Sequence, residues 1–224
     1  MNMFDPSIED FISLLQFGDS DQRRNAAWML GRQRDPMCVP PLINALTDPD
    51  KDVRLRVAES LGNMRDEQTV LPLIDALLKE DAPEVRAQMI QSLGRQRDVR
   101  AIHIIMPYLT DADAQLRVAA AQALTFIPDI RSISALLHAC LTDTDDLVRY
   151  SARKAITEIG GESVVDHLMT ALDANYPPHI ITEVLEMLVA LGYKRATSMV
   201  ERFINHDDEA VSETAKWAMN RLGK

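Results

Sequence analysis

Aromatic side chains make up only 5% of this 224-residue sequence, while Ala, Leu, Ile, Val and Arg dominate. That balance argues against sandwiches and barrels and favours packed helices. Cysteine is nearly absent: Cys38 and Cys140 fit neither a disulfide framework nor a CxxC metal or redox site. Glycine is sparse too, and no Gly-rich phosphate loop, nucleophile motif or His-Glu pair occurs. No apolar run approaches the roughly 18 residues a membrane helix needs, and the opening MNMFDPSIEDF is acidic, unlike a signal peptide. Bases are outnumbered, 24 Lys and Arg against 34 Asp and Glu, a net charge of -10. A general affinity for nucleic acid or anionic membrane is therefore not expected. These absences predict a cytoplasmic protein with no cofactor and no metal.

What the sequence does have is a period. The hexamer LGRQRD stands at Leu30–Asp35 and again at Leu93–Asp98. Around it runs a series of anchors, Leu30, Leu61, Leu93, Leu124, Ile156, Leu188 and Met219, spaced 31 or 32 residues apart, the mark of a solenoid. Apolar residues stand four and eight positions before most anchors, which places them on one helical face. Each unit thus opens with an amphipathic helix A. A second set, Leu46, Leu77, Leu109, Leu141, Leu172 and Ile204, marks a helix B. Between them Asp35, Asp66, Asp98 and Asp129 read as helix N-caps, and Gly31, Gly62 and Gly94 as ends of the preceding helices. LGRQRD is accordingly a joint. The predicted fold is all-α, an α-α superhelix of HEAT/armadillo type with about 14 helices. The chain reads as one domain: a cap helix over residues 1–18, six full repeats over 19–207 and a second cap helix over 208–224. Units that cannot bury their apolar faces alone stack on their neighbours.

The pattern Asp50-x-x-Val53-Arg54-x-x-Val57-Ala58-x-x-Leu61-Gly62, echoed from Asp145 to Ile156, resembles the HEAT-like repeats of the phycobilisome lyase family. The resemblance covers residues 19 to 223 and is specific for the repeat, not for lyase activity, because many adaptor proteins are built from similar units. It implies A helices on the outer layer and B helices along the inner side. It also implies a ladder tying unit to unit, made here of Arg23, Arg54, Arg86, Arg117 and Arg149 with Asp19, Asp50, Asp113, Asp145 and Asp208. The Asp residues can cap helix starts, and each Arg can pair with its Asp or with a neighbour. The sixth unit departs, with Pro177 in the Asp slot and Ile181 in the Arg slot.

Charge is sorted by edge. The turns between units carry seventeen acids, from Asp19 to Glu209, against Lys51 and Lys79. The turns inside units carry the arginines, Arg32, Arg34, Arg65, Arg95, Arg97 and Arg100 among them, a rim suited to an acidic protein or a phosphate. On the B helices, slots expected to face the concave surface hold Leu71, His103, Ile104, Leu136 and Met199, with Tyr108 beside them, an apolar strip of the kind that marks interaction. His103, His138 and His167 occupy differing slots with no carboxylate or Cys at ligand spacing, so no metal site is read from them. Trp28 and Trp217 share one helix A slot at the two ends of the array, positions suited to end packing or self-association. The reading that follows is a non-enzymatic scaffold or adaptor that binds another protein on its concave B-helix surface. The alternative, which rests on the resemblance, is a bilin lyase or pigment-protein chaperone subunit whose His103 or His167 contacts a tetrapyrrole and whose partner is a pigment protein.

Overall fold

The computed structural model describes residues 6–174 and 176–223, so residues 1–5 of the expected first cap and residue 224 of the last lie outside the described residues. Among the described residues there are fourteen α-helices and no strand. The fold is all-α, of HEAT/armadillo repeat type. No described helix is long and apolar enough to cross a membrane. The chain divides into two compact units, one ending at Ile127 and one beginning at Pro128.

The first unit holds α1 (Ile8–Phe17), α2 (Ser20–Gln33), α3 (Val39–Asn44), α4 (Lys51–Met64), α5 (Val70–Leu77), α6 (Pro83–Gln96), α7 (Ile102–Ile105) and α8 (Ala114–Phe126). The A helices are α2, α4, α6 and α8, and each packs on the next. Their anchors Leu30, Leu61, Leu93 and Leu124 are fully buried. The B helices are short because each begins as a single 3-10 turn. That turn is opened by Asp35, Asp66 or Asp98, whose carboxylate accepts the amide two residues on at 2.8–2.9 Å. Asp19, Asp50 and Asp113 cap the A helices in the same unit, as their position suggested.

The glycines do other work than expected. Gly31, Gly62 and Gly94 lie inside the last turn of α2, α4 and α6, not past their ends. A Cβ on Gly62 would stand 2.8 Å from Ser92 Cβ and 2.9 Å from its Cα, and one on Gly94 would stand 2.6 Å from Ala123 Cα. Glycine is therefore the residue that lets successive A helices touch backbone to backbone. The facing serines complete the contact. Ser60 Oγ donates to Ala27 O at 2.9 Å and Ser92 Oγ to Ala58 O at 2.7 Å, both buried. The helix ends themselves fall to Arg34, Arg65 and Arg97, all in the left-handed region at φ of +54°, +53° and +58°. Such a backbone costs a residue with a Cβ about 1 kcal/mol.

The arginine ladder links turns on opposite ends of a unit. Arg23 donates from Nε and Nη2 to the two oxygens of Asp48 at 2.7 and 2.9 Å, and from Nη1 to Gly18 O at 2.9 Å. Arg54 repeats the arrangement with Glu80, at 2.7 and 2.8 Å, while its Nη1 reaches Asp48 O at 2.8 Å. Each guanidinium thus joins the turn entering its unit to the turn leaving it. The capping Asp residues are not the acidic partners of Arg23 and Arg54; those are the carboxylates that close the same units. Arg117 Nη1 likewise bonds Asp111 O at 3.0 Å. Arg86 differs, because its Nε is buried without a hydrogen-bond partner.

The second unit holds α9 (Ile133–Thr142), α10 (Asp146–Ile159), α11 (Gly161–Leu172), α12 (Pro178–Leu191), α13 (Thr197–Glu201) and α14 (Glu209–Leu222). Asp145 and Asp208 cap α10 and α14, and Arg149 Nη1 bonds Asp143 O at 2.8 Å. The helix α12 has Pro177 at its cap position with no side-chain cap, and Ile181 in the arginine slot is buried. Where α4 and α6 meet through Gly62 and Ser92, α10 and α12 offer Thr157 and Met187, too large for that approach. Long side chains span the pair instead, Arg153 binding Glu183 and, at 3.5 Å, Glu186.

Two measurements test these contacts. Gly62→Ala forces Ser92 and its backbone to move, so chemical denaturation should show a loss of about 1–3 kcal/mol, the usual range for overpacking. Glu80 is 3% exposed at its side chain, and the Arg54 guanidinium holds its carboxyl below the ordinary 4.5. Its contribution is present above that pH and lost as pH falls through the depressed folded value. Glu80→Ala should cost about 2 kcal/mol at neutral pH, with the deficit shrinking in acid.

Candidate functional site

The outward side of the first unit's B helices is uneven in chemistry. Between α1 and α3 lies an open cleft of about 610 Å³. Ile12 and Gln16 of α1 form one wall, and Pro40, Pro41, Asn44 and Ala45 form the other. The Arg23–Asp48 pair closes one end, so the carboxylate there is already neutralised. Proline shapes the second wall for a structural reason. The first turn of a helix leaves amides unbonded, so Pro40 and Pro41 cost no hydrogen bond there and present flat, rigid rings. Next along the chain, Leu71 of α5 occupies the slot of Pro40 and is 55% exposed. On α7 the same slot holds His103, which is exposed, followed by half-buried Ile104. Tyr108 is half-buried; burial, and then the charge of Asp111, push its phenol above the ordinary value, while Arg86 opposes them.

Leu71, His103, Ile104 and Tyr108 therefore belong to one unit and to two successive B helices, whereas Met199, half-buried on α13, belongs to the other. Leu136 is a correction. It is fully buried, and the reason is register. Counted forward from the turn aspartates, Leu42, Leu73, Ile105 and Leu136 all stand seven residues on, and all four are at 0% exposure. This unit has one extra residue before its anchor Leu141, and the chain absorbs it beyond Leu136. The outward slots are held by Ser134 and Ala135 instead. The cleft escaped the sequence pattern because, among the described residues, no A helix stands before α1 to set its register; the signal was Pro40 and Pro41 filling both outward slots at once.

The remaining candidates separate. His138 is exposed, with its Nε2 3.4 Å from the Thr142 hydroxyl, and His167 donates from Nδ1 to Ser163 O at 2.7 Å. Among the described residues no group of three or more His, Cys, Asp or Glu side chains could hold a metal ion. Trp28 and Trp217 are both partly exposed, and Arg32 lies 4.9 Å from the Trp28 ring centroid in a cation–π contact. Both thiols are buried. Burial pushes Cys140 up to about 11, with Glu183 adding to the shift and Arg153 opposing it. Burial and Asp35 raise Cys38 as well. Neither supplies a thiolate at neutral pH.

The repeated A and B helices, joined by arginine–carboxylate bonds, match the family model for HEAT repeats over residues 8–81 and 70–157. The chain belongs to the HEAT-repeat family. Comparison with curated proteins returns no match. Among solved structures this HEAT-repeat chain is similar to the complex of CpcE and CpcF of phycocyanin lyase from Nostoc sp. PCC7120. The identity there is 22%, the coverage 99% of this chain and 97% of that one, and the TM-score 0.63. A designed armadillo repeat protein in complex with the peptide (KR)4 is 17% identical over 97% of this chain and 100% of its own, with a TM-score of 0.56. Human deoxyhypusine hydroxylase, in complex with glycerol, is 18% identical over 96% of each chain at a TM-score of 0.50. At these identities the likeness is one of fold.

Thiol accessibility checks the placement of both cysteines in the HEAT-repeat core. Ellman's reagent should find no reactive thiol in the native protein and two after denaturation; rapid labelling of native Cys140 would contradict its burial.

Proposed function

We propose that this protein is a cytoplasmic, non-enzymatic scaffold that binds another protein along the outward face of its B helices. The observation that carries the reading is Leu71, more than half exposed in the slot of α5 that Pro40 holds on α3, with half-buried Ile104 on the following B helix. An exposed apolar residue and, on the same series of helices, an open part-polar cleft are what a partner's side chains need to leave water. Gln16 and Asn44 add side-chain amides that can bond a partner's backbone. The complex of CpcE with CpcF and the peptide-bound designed armadillo protein support a protein partner by likeness of fold.

The second reading is a subunit that handles a pigment protein, favoured by the similarity to CpcE and CpcF. His103, exposed on α7, is the side chain best placed to meet a tetrapyrrole on that face.

Affinity capture from native lysate separates the two. Leu71→Asp with Ile104→Asp should abolish recovery of the partner while leaving the thermal melting point within a few degrees, because neither side chain is core. Undiminished recovery would move the interface elsewhere. A coloured eluate, or a pigment protein as main prey, would put the second reading first, and His103→Ala should then lower the bound absorbance.

A further inference from the structure

The edge opposite the acidic turns bears three arginines in backbone positions that disfavour any side chain. Arg34, Arg65 and Arg97 end α2, α4 and α6 in the left-handed region. Glycine takes that conformation without penalty, and this chain uses it at the equivalent end of α12, where Gly192 has φ +73°. Three times over, then, the first unit keeps an arginine where glycine would hold the joint more cheaply. Unfavourable backbone that recurs in register points to a use for the side chains.

Their surroundings say what kind of use. All three arginines are exposed, and among the described residues none makes a side-chain hydrogen bond or ion pair, although the backbone amide of Arg97 donates to Gly94 O at 3.0 Å. Other arginines of this edge are tethered. Arg32 lies over Trp28, Arg95 donates to Asn63 Oδ1 at 3.0 Å, and Arg100 is paired with Asp98 at 2.6 Å. The neighbouring carboxylates are engaged as well. Asp35, Asp66 and Asp98 turn back onto backbone amides, which leaves Glu67, itself near Arg100, as the remaining acid. The result is three unpaired guanidinium groups, one per unit. Successive A helices pack about 8–10 Å apart, so the charges repeat at about that interval.

We propose that Arg34, Arg65 and Arg97 form a docking edge for an extended acidic segment of a partner protein, with carboxylates at every third residue. An extended chain in the polyproline II conformation turns once every three residues and advances about 3.1 Å per residue, so carboxylates at every third residue return to one face about 9 Å apart and bring one to each guanidinium. Arginine suits the task because its planar fork takes a carboxylate bidentately. A nucleic acid is the poorer fit, since the chain as a whole carries a net charge of -10 and a polyphosphate is repelled more strongly than a sparsely charged peptide. This edge is separate from the B-helix face, so the two docking surfaces stand or fall independently.

The test uses the full chain and a fluorescent (Glu-Gly-Gly)5 peptide at low salt, with anisotropy as readout. The triple variant Arg34→Gly, Arg65→Gly, Arg97→Gly should bind at least tenfold more weakly and melt no lower than the parent, since glycine relieves the backbone. A peptide with the same five glutamates in one block should also bind more weakly to the parent. The proposal is overturned by equal binding of parent and variant, by no measurable binding to the parent, or by tighter binding of an oligothymidylate than of the peptide. It is equally overturned if the variant melts several degrees lower, because the arginines would then be serving the fold.

Discussion

Close approach of neighbouring A helices is the constraint on which the rest of the first unit depends. It exists because Gly31, Gly62 and Gly94 carry no Cβ, so a helix backbone can lie against Ser60, Ser92 and Ala123 of the next. The serine hydroxyls then bond carbonyls of the preceding helix, which gives a polar group inside the core a partner and fixes the helices against sliding. The B helices beside this layer are short, each beginning in the 3-10 turn that Asp35, Asp66 or Asp98 opens. Where the small residues are missing, between α10 and α12, the stacking relies on charged side chains.

The arginine–carboxylate pairs complete this geometry. Each closes a loop of 25 or 26 residues and also bonds the carbonyl of the preceding turn, so three successive turns are held by two guanidinium groups. A bidentate, half-buried pair with additional backbone bonds is the form in which an ion pair repays its desolvation. Arg86 breaks the series with its unpartnered Nε, beside a Tyr108 whose proton is held more tightly than usual. The ladder is therefore not uniform, and its interruption falls next to the B helix that carries His103 and Ile104.

The period, the helix count and the capping aspartates were legible because they are written locally: apolar residues at helical spacing, and Asp before each run. Contacts between units were not. Which carboxylate Arg54 chooses depends on where Glu80 arrives after a full helix pair, and a spacing rule cannot give that. Gly62 looked like a helix end because glycine so often is one; only the presence of Ser92 behind it shows its other use. Leu136 was misplaced because its helix was counted backward from an anchor beyond an extra residue. The turn aspartate is the better origin, since its cap fixes the first turn of the helix in space. Nothing in LGRQRD announced that the second arginine would sit at positive φ.

Among the described residues, the hydrogen bonds that join the repeats reach no more than 35 residues along the chain. Such a chain has few contacts between distant segments, and its folding is correspondingly fast and progressive. During synthesis each new helix pair finds its neighbour already in place at the ribosome exit, so the unpaired apolar face is covered within one repeat of its appearance. Within each of the two units, helix pairs are added one at a time, so that a single apolar surface is exposed at each step.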